Sequence, residues 1–148
     1  MDQIARNSTE SRGEAPSAGF AAMVPELSVT DLDQSLAFWC DVLRFEIAYR
    51  REAAGFAYLQ RGPLQIMLCR MNGEWETASL ERPLGRGINL QMQVDRLEPL
   101  VQRLTEAGWP LYRPLEEKHY RVGDGWSICR EFLVLDPDGY LLRFTADA

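Results

Sequence analysis

The sequence predicts an α+β fold made of two β-α-β-β-β modules that follow one another along the chain. Three observations support this prediction. Two short apolar runs near the carboxyl end flank Asp136-Pro137-Asp138-Gly139, a turn sequence typical of a β-hairpin. Apolar residues recur at helical spacing after Asp31. The pattern of the first half then restarts, because Asp31 and Asp95 begin similar segments 64 residues apart.

The first module is predicted to begin with a strand over residues 22–29, in which Pro25 indicates an edge or a bulge. Thr30 or Asp31 is predicted to cap a helix, and Asp31 and Gln34 have the spacing of a capping box. The apolar stripe of this helix is predicted to face the core, and it consists of Leu32, Leu36, Trp39 and Leu43. We interpret Trp39 as a core residue rather than a ligand contact. Three strands are predicted to follow, at Glu46–Arg51, Phe56–Arg61 and Leu64–Met71.

The second module repeats this order after a linker. Module one is placed at residues 22–72, the linker at 73–86 and module two at 87–148. A strand is predicted over residues 87–94, and Asp95 with Glu98 is expected to open a helix that ends before Gly108. Further strands are expected at Pro110–Arg113, Ile128–Leu135 and Tyr140–Thr145. Leu68 and Phe144 correspond at a distance of 76 residues, so module two holds about 12 extra residues, placed in a loop-like insert at 115–126.

Length and composition indicate one folded domain over residues 22–148. The chain has 148 residues with 46% hydrophobic content, enough for a single well-buried unit, and two small modules could share a core or curl around a cavity. Residues 1–21 are small and polar, so we expect a disordered tail there, with no signal peptide and no membrane span elsewhere.

Charge and cysteine content limit the function classes. The formal net charge of −6 argues against a general nucleic-acid binder and is compatible with a cationic small-molecule ligand. Cys40, Cys69 and Cys129 are odd in number and scattered, which indicates reduced thiols in a cytoplasmic protein. Cys69 and Cys129 lie in apolar strand-like runs, and we interpret them as inert packing residues. No nucleophile elbow, phosphate-binding loop or dinucleotide fingerprint is present in the sequence.

Two phrases of the sequence carry a resemblance to a known family. SVTDLDQSLAFWCDVLRFEI in module one and FLVLDPDGYLLRF at the end of module two resemble the vicinal oxygen chelate superfamily, and within it the bleomycin-resistance branch. The resemblance extends over residues 22–145. It implies that the two modules form a curved mixed sheet around a cavity, and that a second subunit completes or flanks that cavity in a homodimer.

The resemblance also identifies four positions at which the superfamily's enzymes hold a divalent metal with His, Glu or Gln. In this sequence they are Val24, Met67, Asn89 and Arg143. Valine has no ligating atom, thioether sulfur suits soft ions, amide oxygen is weak, and guanidinium repels a cation. We therefore expect no metal, no cofactor and no catalytic residue. His119, the sole histidine, is interpreted as a solvated loop residue, although Glu26 would enter the set if the strand register moved by two residues.

The same four positions are then expected to line a ligand cavity. Val24 and Met67 would supply an apolar wall, Asn89 a donor and an acceptor, and Arg143 a charge for an anionic or carbonyl group. Arg143 could equally pair with Glu131 across the hairpin, since the hairpin register is not fixed by the sequence.

Aromatic residues in loop-like segments are the second set of candidate ligand contacts. Trp75 lies in the linker, and Tyr120 and Trp126 lie in the insert. Such residues can stack on a planar ligand, cap the core or form a dimer contact. In the bleomycin-resistance branch a similar Trp before an Arg-Glu-Phe-like strand contributes to the drug groove, and Trp126 here precedes residues 130–132 in a comparable way.

The sequence thus leads to a principal hypothesis and two alternatives. The principal one is a metal-independent, homodimeric protein that binds and sequesters a small antibiotic-like molecule, planar or cationic, without nucleic-acid or membrane partners. The first alternative is a glyoxalase- or dioxygenase-like enzyme with atypical or relocated metal ligands. The second is an interaction protein whose pocket no longer has a function.

Overall fold

The computed structural model describes residues 10–148, so residues 1–9 of the predicted tail lie outside the described part. The chain divides into two compact units, Met1–Leu80 and Glu81–Ala148, and each is described by itself. The boundary falls within the predicted linker at 73–86. Each unit contains the order β-α-β-β-β and has its own mixed sheet, and in unit one a short additional strand precedes this order. The predicted α+β class and the repeated module order are therefore confirmed.

Unit one contains a five-stranded sheet in the order β1-β3-β4-β5-β2. Only β2 and β5 run parallel; the other neighbours are antiparallel. Its strands lie at β1 (Arg12–Gly13), β2 (Glu26–Val29), β3 (Glu46–Arg51), β4 (Phe56–Arg61) and β5 (Leu64–Arg70). The predicted bounds of β3 and β4 match these ranges, and the first strand is shorter than predicted because it begins only after Pro25.

The helix of unit one begins where the sequence predicts. Asp31 is its N-cap, and the Asp31 Oδ1 atom accepts a hydrogen bond of 3.1 Å from the Gln34 backbone N–H. The α-helix α1 (Leu32–Leu36) continues as a π-helical segment over Ala37–Val42. All four residues of the predicted apolar stripe are buried, and Trp39 is fully buried, which confirms its core role.

The expected disorder of the amino-terminal segment is corrected for residues 10–21, which pack on unit one. Strand β1 pairs with β3 at its edge. Gln65 fixes the following loop, since its Nε2 atom donates to Gly19 O at 2.6 Å and its Oε1 atom accepts from Ala21 N at 2.9 Å. The Ser17 N–H donates to Gln60 Oε1 at 3.0 Å. The polar composition gave no sign of these contacts because backbone groups make them with side chains more than 40 residues away.

Unit two contains a four-stranded sheet in the order β6-β9-β8-β7, with β6 and β9 parallel. Its strands lie at β6 (Asn89–Gln93), β7 (Arg113–Val122), β8 (Gly125–Leu135) and β9 (Leu141–Asp147), and its helix α2 spans Glu98–Glu106. The predicted capping by Asp95 is wrong, because Leu97 is the N-cap and makes no side-chain capping bond. Gly108 has φ +67°, as a residue just past the helix should.

The insert predicted as a loop is instead a regular hairpin extension, which corrects the expectation for residues 115–126. β7 and β8 pair from Glu116↔Glu131 to Val122↔Gly125 around a two-residue turn. Of the four residues predicted as a strand at 110–113, only Arg113 lies in a strand, as the first residue of β7. Most side chains of this extension are exposed on both faces, so the segment shows no apolar alternation, and backbone hydrogen bonds rather than burial define it.

The hairpin turn between β8 and β9 is confirmed. The Asp136 Oδ1 atom accepts hydrogen bonds of 2.9 Å from the backbone N–H groups of both Asp138 and Tyr140. Gly139 has φ +95°, and a Cβ atom there would lie 2.5 Å from the Pro83 Cβ atom and 2.7 Å from its Cα atom. This turn fixes the register Leu135↔Leu141, and with it the position of every β9 side chain.

Gly139→Ala is expected to lower the free energy of unfolding by at least about 2 kcal/mol, since an L-residue at positive φ is strained and the new methyl group meets Pro83. Urea denaturation of the full chain measures the loss. Gly123→Ala is the matched control, because Gly123 also has positive φ, at +58°, but has no atom within 4 Å of the added Cβ. Equal losses in the two variants would contradict the role assigned to the Pro83 contact.

The two faces of the unit two sheet differ in chemistry. Arg130 forms an ion pair with Glu98 of α2, so its face of β8 is the one that meets the helix. Phe132 and Val134 share that face and are fully buried, and the Phe132 ring stacks on Phe144 with centroids 5.4 Å apart. The side chains of Glu131 and Leu133, which alternate with these residues along β8, point to the opposite face.

Within residues 10–148, no helix is long and apolar enough to cross a membrane.

Candidate functional site

The candidate site is the sheet face of unit two that points away from α2, which we call the polar face. Directly opposed residues in a sheet share a face, so the register defines its members. Gln91 is opposite Arg143, Arg143 is opposite Leu133, and Glu131 is opposite Thr145. β7 adds Lys118 and Tyr120, opposite Cys129 and Ser127. Apolar side chains cover the helix-side face, whereas charged and amide side chains dominate this one.

Two hydrogen-bonded pairs organise the polar face. The Arg143 Nη2 atom donates to Gln91 Oε1 at 2.7 Å, and the Tyr120 hydroxyl donates to Glu131 Oε1 at 2.8 Å. Each pair joins a central strand of the sheet, β9 or β8, to an edge strand, β6 or β7. Arg143 thus takes Gln91 as its hydrogen-bond partner, and within the described residues the ion pair with Glu131 that the sequence left open is not formed.

Two atoms of these pairs are buried without a partner. Glu131 is only 4% exposed, and its Oε2 atom accepts no hydrogen bond within the described residues. The Nε atom of Arg143 is also buried and donates to no described group. A buried polar atom without a partner costs on the order of 1–3 kcal/mol, so native proteins keep few of them. Both unpartnered atoms lie on the polar face, in positions shielded from solvent.

Tyr120 and Cys129 on this face both have raised pKa values, so both keep their protons at neutral pH. The hydrogen bond to Glu131, together with burial, raises the pKa of the Tyr120 hydroxyl, while the charge of Arg143 and its side-chain hydrogen bond with Tyr120 oppose this. Burial and the charge of Glu131 raise the pKa of the Cys129 thiol. Lys118 is held in an ion pair with Glu116 at 2.8 Å. Cys129 therefore remains a neutral thiol at pH 7 and a poor nucleophile, in agreement with its interpretation as a packing residue.

The structure separates the ligand residues predicted in unit two. Asn89, Tyr120 and Arg143 lie on the polar face, with Asn89 exposed two residues before Gln91. Trp126 lies on the other face, because it is opposite Arg121 in the hairpin. The Arg121 guanidinium carbon is 5.2 Å from the Trp126 ring centroid, and Trp126 is 62% exposed. Tyr120 and Trp126 therefore present different surfaces, although they are near neighbours in sequence.

The predicted residues of unit one are brought together only in part. Val24 and Met67 pack against one buried cluster, which consists of Ala48, Phe56, Tyr58 and Cys69. Trp75 lies in the loop after β5 and is 59% exposed. The Asn72 Oδ1 atom shapes this loop, because it accepts from Glu74 N at 2.8 Å and from Trp75 N at 3.4 Å.

Sequence reasoning missed an aromatic cluster in unit one. The Tyr49 and Tyr58 rings stack with centroids 5.1 Å apart, and Phe20 meets Tyr58 edge-on at 5.6 Å. The Arg51 guanidinium carbon lies 4.0 Å from the Phe56 ring centroid. Tyr49 and Arg51 are two residues apart in one strand, and Phe56 and Tyr58 are two residues apart in the next. This spacing places each pair on one face of the sheet, and it was the signal in the sequence that could have identified the cluster. Phe20 was not identified as a member of this cluster because its segment was predicted to be disordered.

The residues present do not fit the divalent metal that the family's enzymes hold. The register sets Glu26 beside Met67 in unit one and Gln91 beside Arg143 in unit two. The Gln91 oxygen already accepts from a permanent cation. Among residues 10–148, no three His, Cys, Asp or Glu side chains are grouped so that they could hold a metal ion. His119 is half exposed on β7, where its Nε2 atom is 2.7 Å from Glu117 Oε1.

Comparisons with known proteins agree with this fold. A model of the Glyoxalase/Bleomycin resistance protein/Dioxygenase superfamily matches residues 19–144. Proteins named bleomycin resistance protein, from Geobacillus stearothermophilus and Staphylococcus aureus, are 27% identical over 130 residues, which cover 82% of this chain and 92% of theirs. TioX from Micromonospora sp. ML1 is 30% identical with a TM-score of 0.62, over 86% of this chain and 97% of that one.

A virulence protein of Salmonella typhimurium is similar at 20% identity and a TM-score of 0.64, over 87% of this chain and 98% of its own. At this identity the likeness concerns the fold alone. The β-α-β-β-β units described above are thus shared with solved structures that differ widely in sequence.

Proposed function

Because this chain belongs to the glyoxalase/bleomycin resistance protein/dioxygenase superfamily, we propose that it binds a small antibiotic-like molecule and sequesters it without transforming it. The observation that carries the proposal is Arg143. The resemblance implies that this guanidinium occupies a position at which the superfamily's enzymes place a metal ligand, and it is hydrogen-bonded to Gln91 on a face with further unpartnered polar atoms. The similarity to proteins named bleomycin resistance protein supports a glycopeptide-like ligand.

The polar face is the proposed recognition surface of unit two. Arg143 offers a donor to a carbonyl or anionic group, Glu131 offers an acceptor, and exposed Asn89 offers both. In unit one we propose that Val24 and Met67 supply apolar contact area, as part of the cluster against which they pack. The proposal includes a homodimer and a cytoplasmic location.

Sequestration rather than catalysis is supported by the state of the reactive groups. The thiol of Cys129 and the hydroxyl of Tyr120 both have raised pKa values, so neither is a base or a nucleophile at neutral pH. His119 lies on the opposite face from Arg143, because it is opposite Ile128 rather than Cys129. The polar face therefore has groups suited to hold a ligand and lacks an activated nucleophile.

Calorimetric titration of the full chain with metal-free bleomycin tests the proposal. We expect binding with a dissociation constant of about 1 μM or tighter, close to −8 kcal/mol, and recovery of unchanged bleomycin after denaturation. Sedimentation analysis of the same sample measures the dimer. If neither bleomycin nor another glycopeptide bound at micromolar concentration, the proposed function would be wrong.

Ligand binding is expected to be the same before and after dialysis against EDTA, because the resemblance implies that Arg143, a permanent cation, takes the position of a metal ligand. Elemental analysis of the chain, followed by separate addition of nickel, zinc, manganese and iron, measures the metal content and its effect. The enzyme alternative, with Glu26 and relocated ligands, predicts one tightly bound ion per chain and turnover that depends on it. A tightly bound ion, or turnover that depends on it, would replace the sequestration proposal with the enzyme alternative.

A further inference from the structure

Residues 14–25 form a segment that we call the strap, and both of its ends are joined to the sheet of unit one. At one end the Glu14 N–H donates to Ala48 O at 2.9 Å, and at the other end the Met67 N–H donates to Pro25 O at 2.8 Å. Most side chains of the strap are exposed. A segment with few buried side chains opens locally at a lower free energy than the sheet on which it lies.

Two glutamine side chains hold the middle of the strap. The Gln65 Nε2 atom donates to Gly19 O at 2.6 Å, and its Oε1 atom accepts from Ala21 N at 2.9 Å. The Gln60 Oε1 atom accepts from the backbone N–H and the hydroxyl of Ser17, at 3.0 and 3.2 Å. Gln65 therefore fastens the strap through both the oxygen and the nitrogen of its amide, whereas Gln60 uses its oxygen.

The strap crosses the sheet face that carries Met67. Gln60 is opposite Gln65 in the pairing of β4 with β5. Two residues along each of these strands, Tyr58 is opposite Met67, so all four side chains share one face. Tyr49 of β3 is opposite Tyr58 and belongs to the same face. The strap is therefore fastened beside Met67, which we propose as an apolar contact of the ligand.

Phe20 of the strap occupies an aromatic position on this face. Its ring is edge-on to Tyr58 and to Tyr49, with centroids 5.6 and 6.3 Å apart, and the two tyrosine rings stack on each other. Tyr58 is 2% exposed, whereas Phe20 is 63% exposed. An aromatic ring of a ligand would make the same edge-on contacts with the two tyrosines, so the ligand ring and the Phe20 ring would compete for one position.

We propose that the strap is an autoinhibitory segment, in which Phe20 fills the position that a planar aromatic group of the ligand takes when the strap opens. This inference rests on the proposed function, because the strap covers the face that carries Met67. If only the open state binds, the apparent dissociation constant is the intrinsic constant divided by the open fraction. A substitution that loosens the strap is therefore expected to tighten ligand binding, although it removes a contact.

Gln65→Glu loosens the strap with little change in side-chain shape. A carboxylate still accepts from the Tyr58 hydroxyl, as the Gln65 oxygen does, but it cannot donate to Gly19 O. Gln60→Glu is the matched control, because its oxygen accepts from Ser17 and a carboxylate can do the same. The control adds the same negative charge to the same face, so a gain in affinity that is only electrostatic would be seen in both variants.

Hydrogen exchange of backbone amides, followed by NMR on the full chain without ligand, measures strap opening. The Ala21 N–H is expected to exchange about tenfold faster in Gln65→Glu than in the unmodified chain, because the strap loses one of its hydrogen bonds. The amides of β4 should keep their rates within about twofold. In Gln60→Glu the Ala21 rate should not change. Equal Ala21 rates in all three chains would overturn the proposal.

Two ligands then measure the competition with Phe20. Metal-free bleomycin is titrated by calorimetry, and anilinonaphthalene sulfonate, a planar aromatic dye, is titrated by its fluorescence. Phe20→Ser removes the competing ring and should leave the chain folded, because the side chain is largely exposed. Phe20→Ser and Gln65→Glu are each expected to bind both ligands about five- to tenfold more tightly than the unmodified chain. Gln60→Glu should bind them as the unmodified chain does.

The outcomes separate the strap from the proposed function. Weaker binding in Phe20→Ser would overturn autoinhibition, because Phe20 would then be a ligand contact. Unchanged affinities in a Gln65→Glu chain whose Ala21 N–H exchanges faster would also overturn it, and bleomycin binding in that case would leave the proposed function standing. If the dye bound more tightly to both variants and bleomycin bound to none of the chains, inhibition by the strap would stand and the sequestration of bleomycin-like molecules would fall.

Discussion

Arg143→Met is expected to weaken bleomycin binding to the full chain by about 10- to 100-fold, because it removes a charged hydrogen-bond donor and keeps an unbranched side chain of similar length. Arg143 lies on the polar face, where its side chain is fixed by the hydrogen bond to Gln91 and its Nε atom is buried without a partner. Calorimetric titration measures the loss. The free energy of unfolding, measured in urea, shows whether the variant stays folded.

Arg121→Met is the matched control for this prediction. It makes the same substitution in the same unit, but Arg121 lies opposite Trp126 on the other face of the hairpin, where both residues are exposed. We expect its affinity for bleomycin to change by less than about twofold, as is usual for a surface residue outside a site. If Arg121→Met lost affinity and Arg143→Met kept it, the ligand surface would be the Trp126 face rather than the polar face.

The comparison of these two arginines also shows what the sequence could predict about the site. The position of Arg143 followed from the hairpin turn, since Gly139 fixes where β9 begins and local turn chemistry is visible in sequence. The role of Glu131 could not follow, because it depends on which oxygen Tyr120 engages and on the register between β8 and β9. A shift of one residue would move Glu131 to the helix side.

For the fold, local signals were sufficient wherever one face of an element is buried. The stripe that includes Trp39 and Leu43 predicted the first helix because its burial imposes a helical period. The extension of β7 and β8 was missed because neither face is buried over most of its length, so no period is imposed. Residues 10–21 were missed for a related reason, since contacts such as that between Gly19 and Gln65 join backbone to a distant side chain.

Trp39→Ala is expected to lower the free energy of unfolding by about 3–5 kcal/mol, the range for removing a buried large aromatic side chain. The Trp39 side chain is fully buried, and its ring lies edge-on to Phe45 with centroids 5.1 Å apart. The Phe45 side chain that meets this ring is itself buried, so a cavity is expected to remain where the indole was. Urea denaturation measures the effect, with bleomycin affinity measured in parallel on protein that remains folded.

Trp75→Ala completes this test, because it makes the same substitution at a tryptophan of the same unit that is 59% exposed. We expect a change of no more than about 0.5 kcal/mol in the free energy of unfolding. Since stacking of an exposed aromatic ring on a planar ligand contributes roughly 0.5–1.5 kcal/mol, a fall in bleomycin affinity without loss of stability would assign Trp75 to the ligand. A large loss of stability at Trp75 would instead mean that the loop after β5 is part of the core of unit one, and that its tryptophan is a packing residue like Trp39.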